Sequence, residues 1–321
     1  MKTAETPNNS VEQYIILGDP NRKGMLKKAN KLSNFLTSET SIKTDFLPSG
    51  SSVEEMTEKL LSKEVDQIPT GAIILGGDAT VNHALEASRI INNHQYFNII
   101  TNYFGGARDI FHSVSSTTSS TLSLENIIYS NNEGLIHPVE VELNDYLKFY
   151  AYNVFSIGRI ALMANQIDLT REKFKPVGID FIDRALGRSY ETFDIIRNKL
   201  LQTIPFELKT IPNGPSMFLG DLIATNSQRF GILFRSTNDI LDHSFGIHHI
   251  DKIDPEIIRK IIFQRPFSAS LNVKNDQEVS YFVTGEGLKF QIDGEVYNLE
   301  DGTNKISLRN ASKPAKLLLP K

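Results

Sequence analysis

Short apolar runs alternate with helix-like segments from residue 14 to about 130, and this alternation constrains the fold more than any other feature of the chain. It is the pattern of βαβ units around a parallel sheet. Tyr14-Ile15-Ile16-Leu17, Ile42 to Leu47, Ala72-Ile73-Ile74-Leu75 and Phe97-Asn98-Ile99-Ile100 read as strands, each leading into a polar or glycine-containing turn. Between the first two, Met25, Leu26, Ala29, Leu32 and Phe35 recur at three- and four-residue spacing, which makes one apolar stripe of a helix packed on the sheet. From about His137 the texture changes to β-rich stretches broken by turn residues, among them VEVEL, KFYAYNVFS, FLGDLIATN, SYFVT and LKFQIDGEVYN. That change predicts a second, mainly antiparallel domain. Two helical segments interrupt it, roughly Ile179 to Leu201 and Pro255 to Gln264, the latter with Asp254 as N-cap before a proline at the first helical position. The expected organisation is a flexible tail over residues 1–11, an α/β domain over 12–135 and a β-rich domain over 136–321 whose C-terminal end packs back toward the first.

With 321 residues, 40% apolar and 22% charged, the chain has the make-up of a globular protein of about two domains. It has no cysteine, so disulfides, thiolate metal sites and cysteine nucleophiles are excluded, and a reducing cytoplasm is the expected location. A net charge of -4 argues against a broad nucleic-acid-binding surface. The opening MKTAETPNNS lacks the apolar core of a signal peptide. The longest apolar stretch, Tyr146 to Ala164, is broken by Lys148, Asn153, Ser156 and Arg159, so any membrane contact is expected to be peripheral.

The strand ending at Leu75 runs into Gly76-Gly77-Asp78-Ala79-Thr80-Val81-Asn82-His83. Glycines there admit close backbone approach, and the following helix N-terminus offers free N–H groups and a favourable dipole, which suits a phosphate. The same residues suit an ordinary turn, because Gly and Asp dominate turns for conformational reasons. Two further loops bear on the choice. The strand FNIIT leads into Tyr103-Phe104-Gly105-Gly106-Ala107-Arg108-Asp109-Ile110-Phe111, and the first strand into Asp19-Pro20-Asn21-Arg22-Lys23-Gly24. Loops at the carboxyl ends of parallel strands converge on one crevice, so the three can share a ligand.

Together with Gln291-Ile292-Asp293-Gly294-Glu295 far downstream, these motifs resemble the diacylglycerol kinase and sphingosine kinase family, which carries an Asn-Pro-x-x-Gly-like turn, a GGDGTxNE loop, a PLGTGNDF-like loop and a late DGE in that order. The resemblance spans roughly residues 12 to 320. It implies a NAD kinase/diacylglycerol kinase-like fold and transfer of the γ-phosphoryl group of ATP to a lipid hydroxyl, with ATP and Mg2+ as cofactors and a diacylglycerol-like acceptor. By the same resemblance Asp78 and Asp109 organise Mg2+, directly or through water. Glu295 is the general base, its affinity for a proton raised by partial burial or by the neighbouring Asp293 carboxylate. Asp19, Gly76, Gly77, Thr80, Gly105 and Arg108 are the nucleotide-binding positions, and Asp239 and Asp242 resemble an Asp-x-x-Asp turn with which some bacterial members hold a structural magnesium.

Read on residues alone, Asp293-Gly294 is a β-hairpin turn, Thr80 is a good N-cap, Lys23 is an exposed lysine, and Asp239 with Asp242 is a polar turn. His243, His248 and His249 cluster in sequence, but adjacent residues on a strand face opposite sides, so no zinc site is expected. NAD kinases also use a GGD loop; the late DGE favours the lipid-kinase branch.

The motifs depart from the family pattern in four places, one of them a whole loop. Ala79 replaces a glycine, where a Cβ costs about 1–2 kcal/mol if the backbone is left-handed. His83 stands in place of a glutamate, and Asp19 in place of an asparagine. The third loop has Gly105-Gly106-Ala107-Arg108-Asp109 for GTGND, and Arg108 either grips a phosphate or pairs with Asp109 and blocks magnesium. Two readings stay open, an active lipid kinase and an inactive homologue that binds nucleotide or lipid. A third class, an interaction protein on the same scaffold, has no positive signal. Lys173 to Leu201 offers apolar residues among Arg184, Arg188 and Arg197, a pattern shared by core-facing helices and by helices that dock peripherally at the inner membrane face.

Overall fold

The structure is a computed structural model that describes residues 11–20, 24–42, 44–50, 52–91, 95–100, 109–118, 124–162, 205–230, 234–252, 254–263, 265–274 and 276–320. Two compact units result, one of Met1–Pro138, Asp239–His243 and Ala311–Lys321, the other of Val139–Asn238 and Ser244–Asn310.

The first unit begins with β1 (Gln13–Gly18), α1 (Met25–Thr40), β2 (Thr44–Pro48), α2 (Val53–Leu61), β3 (Thr70–Leu75), α3 (Asp78–Ile91), β4 (Tyr96–Ile100), α4 (Asp109–Thr118), α5 (Leu124–Ile128) and β5 (Asn132–Ile136). The strands expected from the apolar runs are all present, with their ends moved slightly. Every residue of β3 and β4 is buried, the continuous apolar run that a parallel strand needs when both faces are covered. On α1 the buried stripe is Met25, Ala29, Leu32 and Leu36. Leu26, expected in that stripe, is instead exposed, because it lies one residue round the helix from Met25. Ser52 caps α2 by accepting a hydrogen bond from Glu55 N–H at 3.3 Å.

The second unit contains β6 (Val139–Leu143), β7 (Leu147–Ala151), β8 (Val154–Gly158), β9 (Phe206–Ile211), β10 (Ser216–Leu219), β11 (Asp221–Thr225), β12 (Arg229–Phe230), β13 (Phe234–Arg235), β14 (Ser244–Ile250), α6 (Pro255–Ile262), β15 (Leu271–Lys274), β16 (Glu278–Gly285), β17 (Lys289–Ile292), β18 (Glu295–Asn298) and β19 (Gly302–Asn310). Two antiparallel sheets, ordered β10-β9-β16-β19-β6-β7 and β15-β14-β11-β8-β17-β18, enclose one apolar core that includes Val141, Phe155, Leu208, Phe245, Tyr281 and Phe290. This is a β-sandwich. At α6 the expected cap is present, since Asp254 Oδ1 accepts from Ile257 N–H at 2.8 Å.

Two stretches that read as single runs are each two strands in different sheets. KFYAYNVFS divides into β7 and β8 at Tyr152-Asn153, and FLGDLIATN into β10 and β11 at Gly220. Alternation tells which face a residue takes but not which sheet its strand joins. The second crossing is closed by packing. Gly158 has φ 100, and a Cβ there would collide with the Gly220 carbonyl. Beside it the Arg159 and Asp221 side chains, 2% and 1% exposed, pair at 2.7 Å, and Ile160 N–H donates to the other Asp221 oxygen at 3.0 Å. Deep ion pairs are tolerated only when hydrogen bonds of this kind satisfy them.

The last strand, β20 (Ala315–Leu319), returns to the first unit, whose sheet order is β2-β1-β3-β4-β20-β5. It runs parallel to β4 and antiparallel to β5. Asn98 of β4 fixes its place by donating to Lys316 O at 3.1 Å while also donating to Ser88 Oγ of α3 at 2.9 Å. Asp239–His243, expected in the second domain, is part of the first unit, where the His243 ring stacks on His137 with centroids 3.8 Å apart. The architecture is an α/β unit with a mostly parallel sheet and an antiparallel β-rich unit, as the sequence pattern implies.

Candidate functional site

In the first unit the strand order places β1 and β3 side by side, while the chain leaves β1 toward β2 on one flank and β3 toward β4 on the other. A reversal of this kind opens a crevice at the carboxyl ends of the strands, where ligands of open α/β sheets bind. Asp19 is exposed at the end of β1, and Gly76 is buried at the end of β3. Asp78 is the first residue of α3 and Asp109 the first residue of α4. Asp78 Oδ1 accepts a hydrogen bond from Asp109 N–H at 3.0 Å, so one carboxylate closes the N-terminus of the neighbouring helix, where a negative charge is favourable. Asp109 itself is 3% exposed. Two acids 31 residues apart in sequence are thereby brought together.

The loop between β3 and α3 differs from expectation in two respects. Helix α3 starts at Asp78, so Thr80 lies within its first turn and is not its N-cap; Gly77 O accepts the bond from Val81 N–H at 3.1 Å. Ala79 is likewise helical, so the left-handed penalty anticipated for its Cβ does not arise, and its side chain is exposed. Gly76 is required for a different reason. A Cβ there would overlap Thr80 Cβ and Oγ1, so the threonine folds back over the glycine. One turn on, Asn82 Oδ1 is buried with no hydrogen-bond partner among the described residues. His83 approaches α2. Glu54 is held below the usual carboxylate range by hydrogen bonds from its own backbone N–H and from Ser52, and His83 adds to this.

Gly105, Arg108, Lys23 and the segment from Lys173 to Leu201 lie outside the described residues. Among the described residues no group of three or more His, Asp or Glu side chains could enclose a metal ion. The Asp78 and Asp109 pair fits a different kind of site. Mg2+ takes hard oxygen donors, keeps several waters and is commonly held by one or two carboxylates together with substrate phosphates. Asp239 forms a turn: its Oδ1 accepts from Leu241 N–H at 3.0 Å, and its carbonyl from Asp242 N–H at 3.1 Å. His248 and His249 face opposite sides of β14, the first toward Ser236 and Ser268, the second toward the Tyr281 hydroxyl at 3.3 Å.

In the second unit, Asp293-Gly294 is the two-residue turn of the β17–β18 hairpin, with φ 50 and 99, the left-handed values of a type I′ turn. The Asp293 carboxylate accepts three backbone N–H groups, from Tyr152 at 2.7 Å, Asn153 at 2.8 Å and Val154 at 2.7 Å. Its own N–H donates to Val154 O at 2.8 Å. Asp293, expected to act on Glu295 as a neighbouring charge, is thus committed to the turn where β7 passes into β8. Partial burial, the other expected influence on Glu295, is absent: Glu295 is exposed, and its Oε2 accepts from the Tyr297 hydroxyl at 2.7 Å. Sequence reasoning missed Tyr297. Period-two alternation would have found it, since residues 295 and 297 share a face of β18.

No family model matches the chain, and none of the curated proteins matches its sequence. Solved structures do. A diacylglycerol kinase from Bacillus anthracis str. Sterne superposes with TM-score 0.61 at 12% identity, covering 97% of this chain and 98% of that one. A second Bacillus anthracis structure named as a diacylglycerol kinase gives TM-score 0.61 at 14% identity over 94% and 96% of the two chains. Yeast NADH kinase complexed with NADH gives 0.49 at 9% identity over 99% and 85%. The chain has the diacylglycerol kinase-like fold. At these identities the likeness defines the fold and nothing finer.

Proposed function

We propose that the protein is a lipid kinase that transfers the γ-phosphoryl group of ATP to the hydroxyl of a diacylglycerol-like acceptor, in peripheral contact with a membrane. The observation that carries this reading is the hydrogen bond from Asp109 N–H to Asp78 Oδ1. It joins the starts of two helices that follow neighbouring parallel strands, and the carboxyl ends of such strands are where phosphates bind in open α/β sheets. The likeness to structures named as diacylglycerol kinases supports the same reading.

Phosphoryl transfer asks a protein mainly for alignment and charge neutralisation. Asp78 and Asp109 are the residues that would hold Mg2+, directly or through water, and the bound ion would neutralise charge on the transferred group. Backbone N–H groups in the first turn of α3, with Thr80, cradle phosphate oxygens. Glu295 takes the proton of the attacking hydroxyl as its oxygen bonds to the γ-phosphorus and the bond to the bridging oxygen of ADP breaks. The helical backbone at Ala79 removes one argument for an inactive homologue.

The test uses purified protein, γ-labelled ATP, Mg2+ and micelles carrying a diacylglycerol, a sphingoid base or a prenyl alcohol. Labelled lipid phosphate is expected, and Asp78→Asn, which keeps an acceptor for Asp109 N–H, should fold normally and lose activity by about 100-fold or more. Nucleotide binding without turnover on every acceptor would establish the inactive homologue, and absence of both would overturn the kinase reading altogether.

A further inference from the structure

We propose that Tyr297 is a positioning residue for Glu295, holding its carboxylate in one orientation from a ring that is itself locked by stacking. The proposal rests on the reading of Glu295 as proton acceptor. An exposed glutamate on an edge strand samples many rotamers, and confining it costs side-chain entropy, so a catalytic glutamate in that setting needs a partner that holds it. Tyr297 supplies that partner from the same face of the same strand, its hydroxyl 2.7 Å from Glu295 Oε2.

The ring has little freedom to move away. It stacks on Phe290 with centroids 5.1 Å apart and planes 19° from parallel, and Phe149 lies against it at 5.4 Å. Phe290 is the cross-strand partner of Tyr297 in the hairpin register and is 3% exposed, so the stack is anchored in the sandwich core. Phe149 meets Phe290 edge-on at 5.6 Å and closes the cluster. At the other end of the hairpin, three backbone N–H groups pin Asp293, two residues before Glu295. The glutamate therefore leaves a backbone fixed at its turn and meets a donor fixed by aromatic packing.

Burial first, and then the hydrogen bond to Glu295 and its charge, push the Tyr297 hydroxyl up to about 12, so it remains a donor at any working pH. A donor that keeps its own proton leaves Glu295 to take the substrate's. The proton passes from the acceptor hydroxyl to the Glu295 carboxylate, and Tyr297 ends the step unchanged.

Tyr297→Phe in the full chain removes only the hydroxyl and keeps the stack. Without the donor the Glu295 side chain gains rotamer freedom, so the order of its methylene carbons in NMR relaxation, assigned with Glu295→Gln, should fall toward that of an unrestrained side chain while the backbone order of the strand is unchanged. In turnover, kcat should fall by about threefold or more with KM for ATP unchanged. Unchanged order at Glu295 overturns the proposal. If the wild-type protein transfers no phosphoryl group, the kinase reading fails alone, because the relaxation measurement still decides whether Tyr297 holds Glu295.

Discussion

Three backbone N–H groups end on the carboxylate of Asp293, and the residue adopts a left-handed φ of 50 to reach them. Asp and Asn tolerate that conformation better than Ala, and only Asp offers two equivalent acceptor oxygens. Asp293→Ala should therefore lower unfolding stability by about 3 kcal/mol, combining unsatisfied donors with backbone strain, whereas Asp293→Asn should lose clearly less. Urea unfolding followed by circular dichroism measures both, and equal losses would contradict the account. At this scale the sequence was legible locally and silent otherwise. The Asp-Gly pair announced its turn, but the residues that the carboxylate holds lie about 140 positions earlier, and a backbone N–H has no signature in sequence. Asp78 and Asp109 stand out as candidates because a motif marks them; Tyr297 carries no motif.

Between β3 and α3 the relevant fact is steric. Gly76 is glycine because Thr80 folds over it, so Gly76→Ala should cost about 1–3 kcal/mol by overpacking. Adding Thr80→Ala removes the colliding atoms and should recover most of that loss. A double-mutant cycle on thermal unfolding tests this, and additive losses would show that the two side chains do not meet. The strands and helices of the first unit were readable because each strand is a continuous apolar run and α1 carries a helical stripe. The second unit was readable as β-rich but not as two sheets. Where β7 passes into β8 and β10 into β11, the apolar pattern runs on while the chain changes sheet, and the causes are non-local: the Asp293 carboxylate at one crossing, Gly158 against Gly220 with the Arg159–Asp221 pair at the other.

Across the whole molecule, acid stability follows from buried imidazoles. Burial pushes His248, 4% exposed, down from 6.5 to about 4, against a hydrogen bond to Ser268. The unfolded chain therefore takes up a proton near pH 6.5 that the folded chain takes up only near pH 4. Its contribution is complete above that range and is lost as pH falls through it, by up to about 3 kcal/mol. His137 and His249, also lowered by burial, act in the same direction. The thermal midpoint should fall between these pH values, and His248→Gln should flatten the fall; identical slopes would remove His248 from the explanation.

The return of β20 to the first sheet sets a schedule for the nascent chain. It is hydrogen-bonded between β4 and β5, so that sheet stays split in its interior until residues 315–319 have left the ribosome. At about 5–20 residues per second, the stretch of about 180 residues from β5 to β20 takes about 10–40 s to synthesise. Throughout that interval two strand edges stand open to pairing with other nascent chains. A stop codon at position 311 should accordingly yield aggregate, read as loss of the soluble fraction, and cells making the intact protein should depend on holding chaperones in proportion to how slowly the second unit is translated.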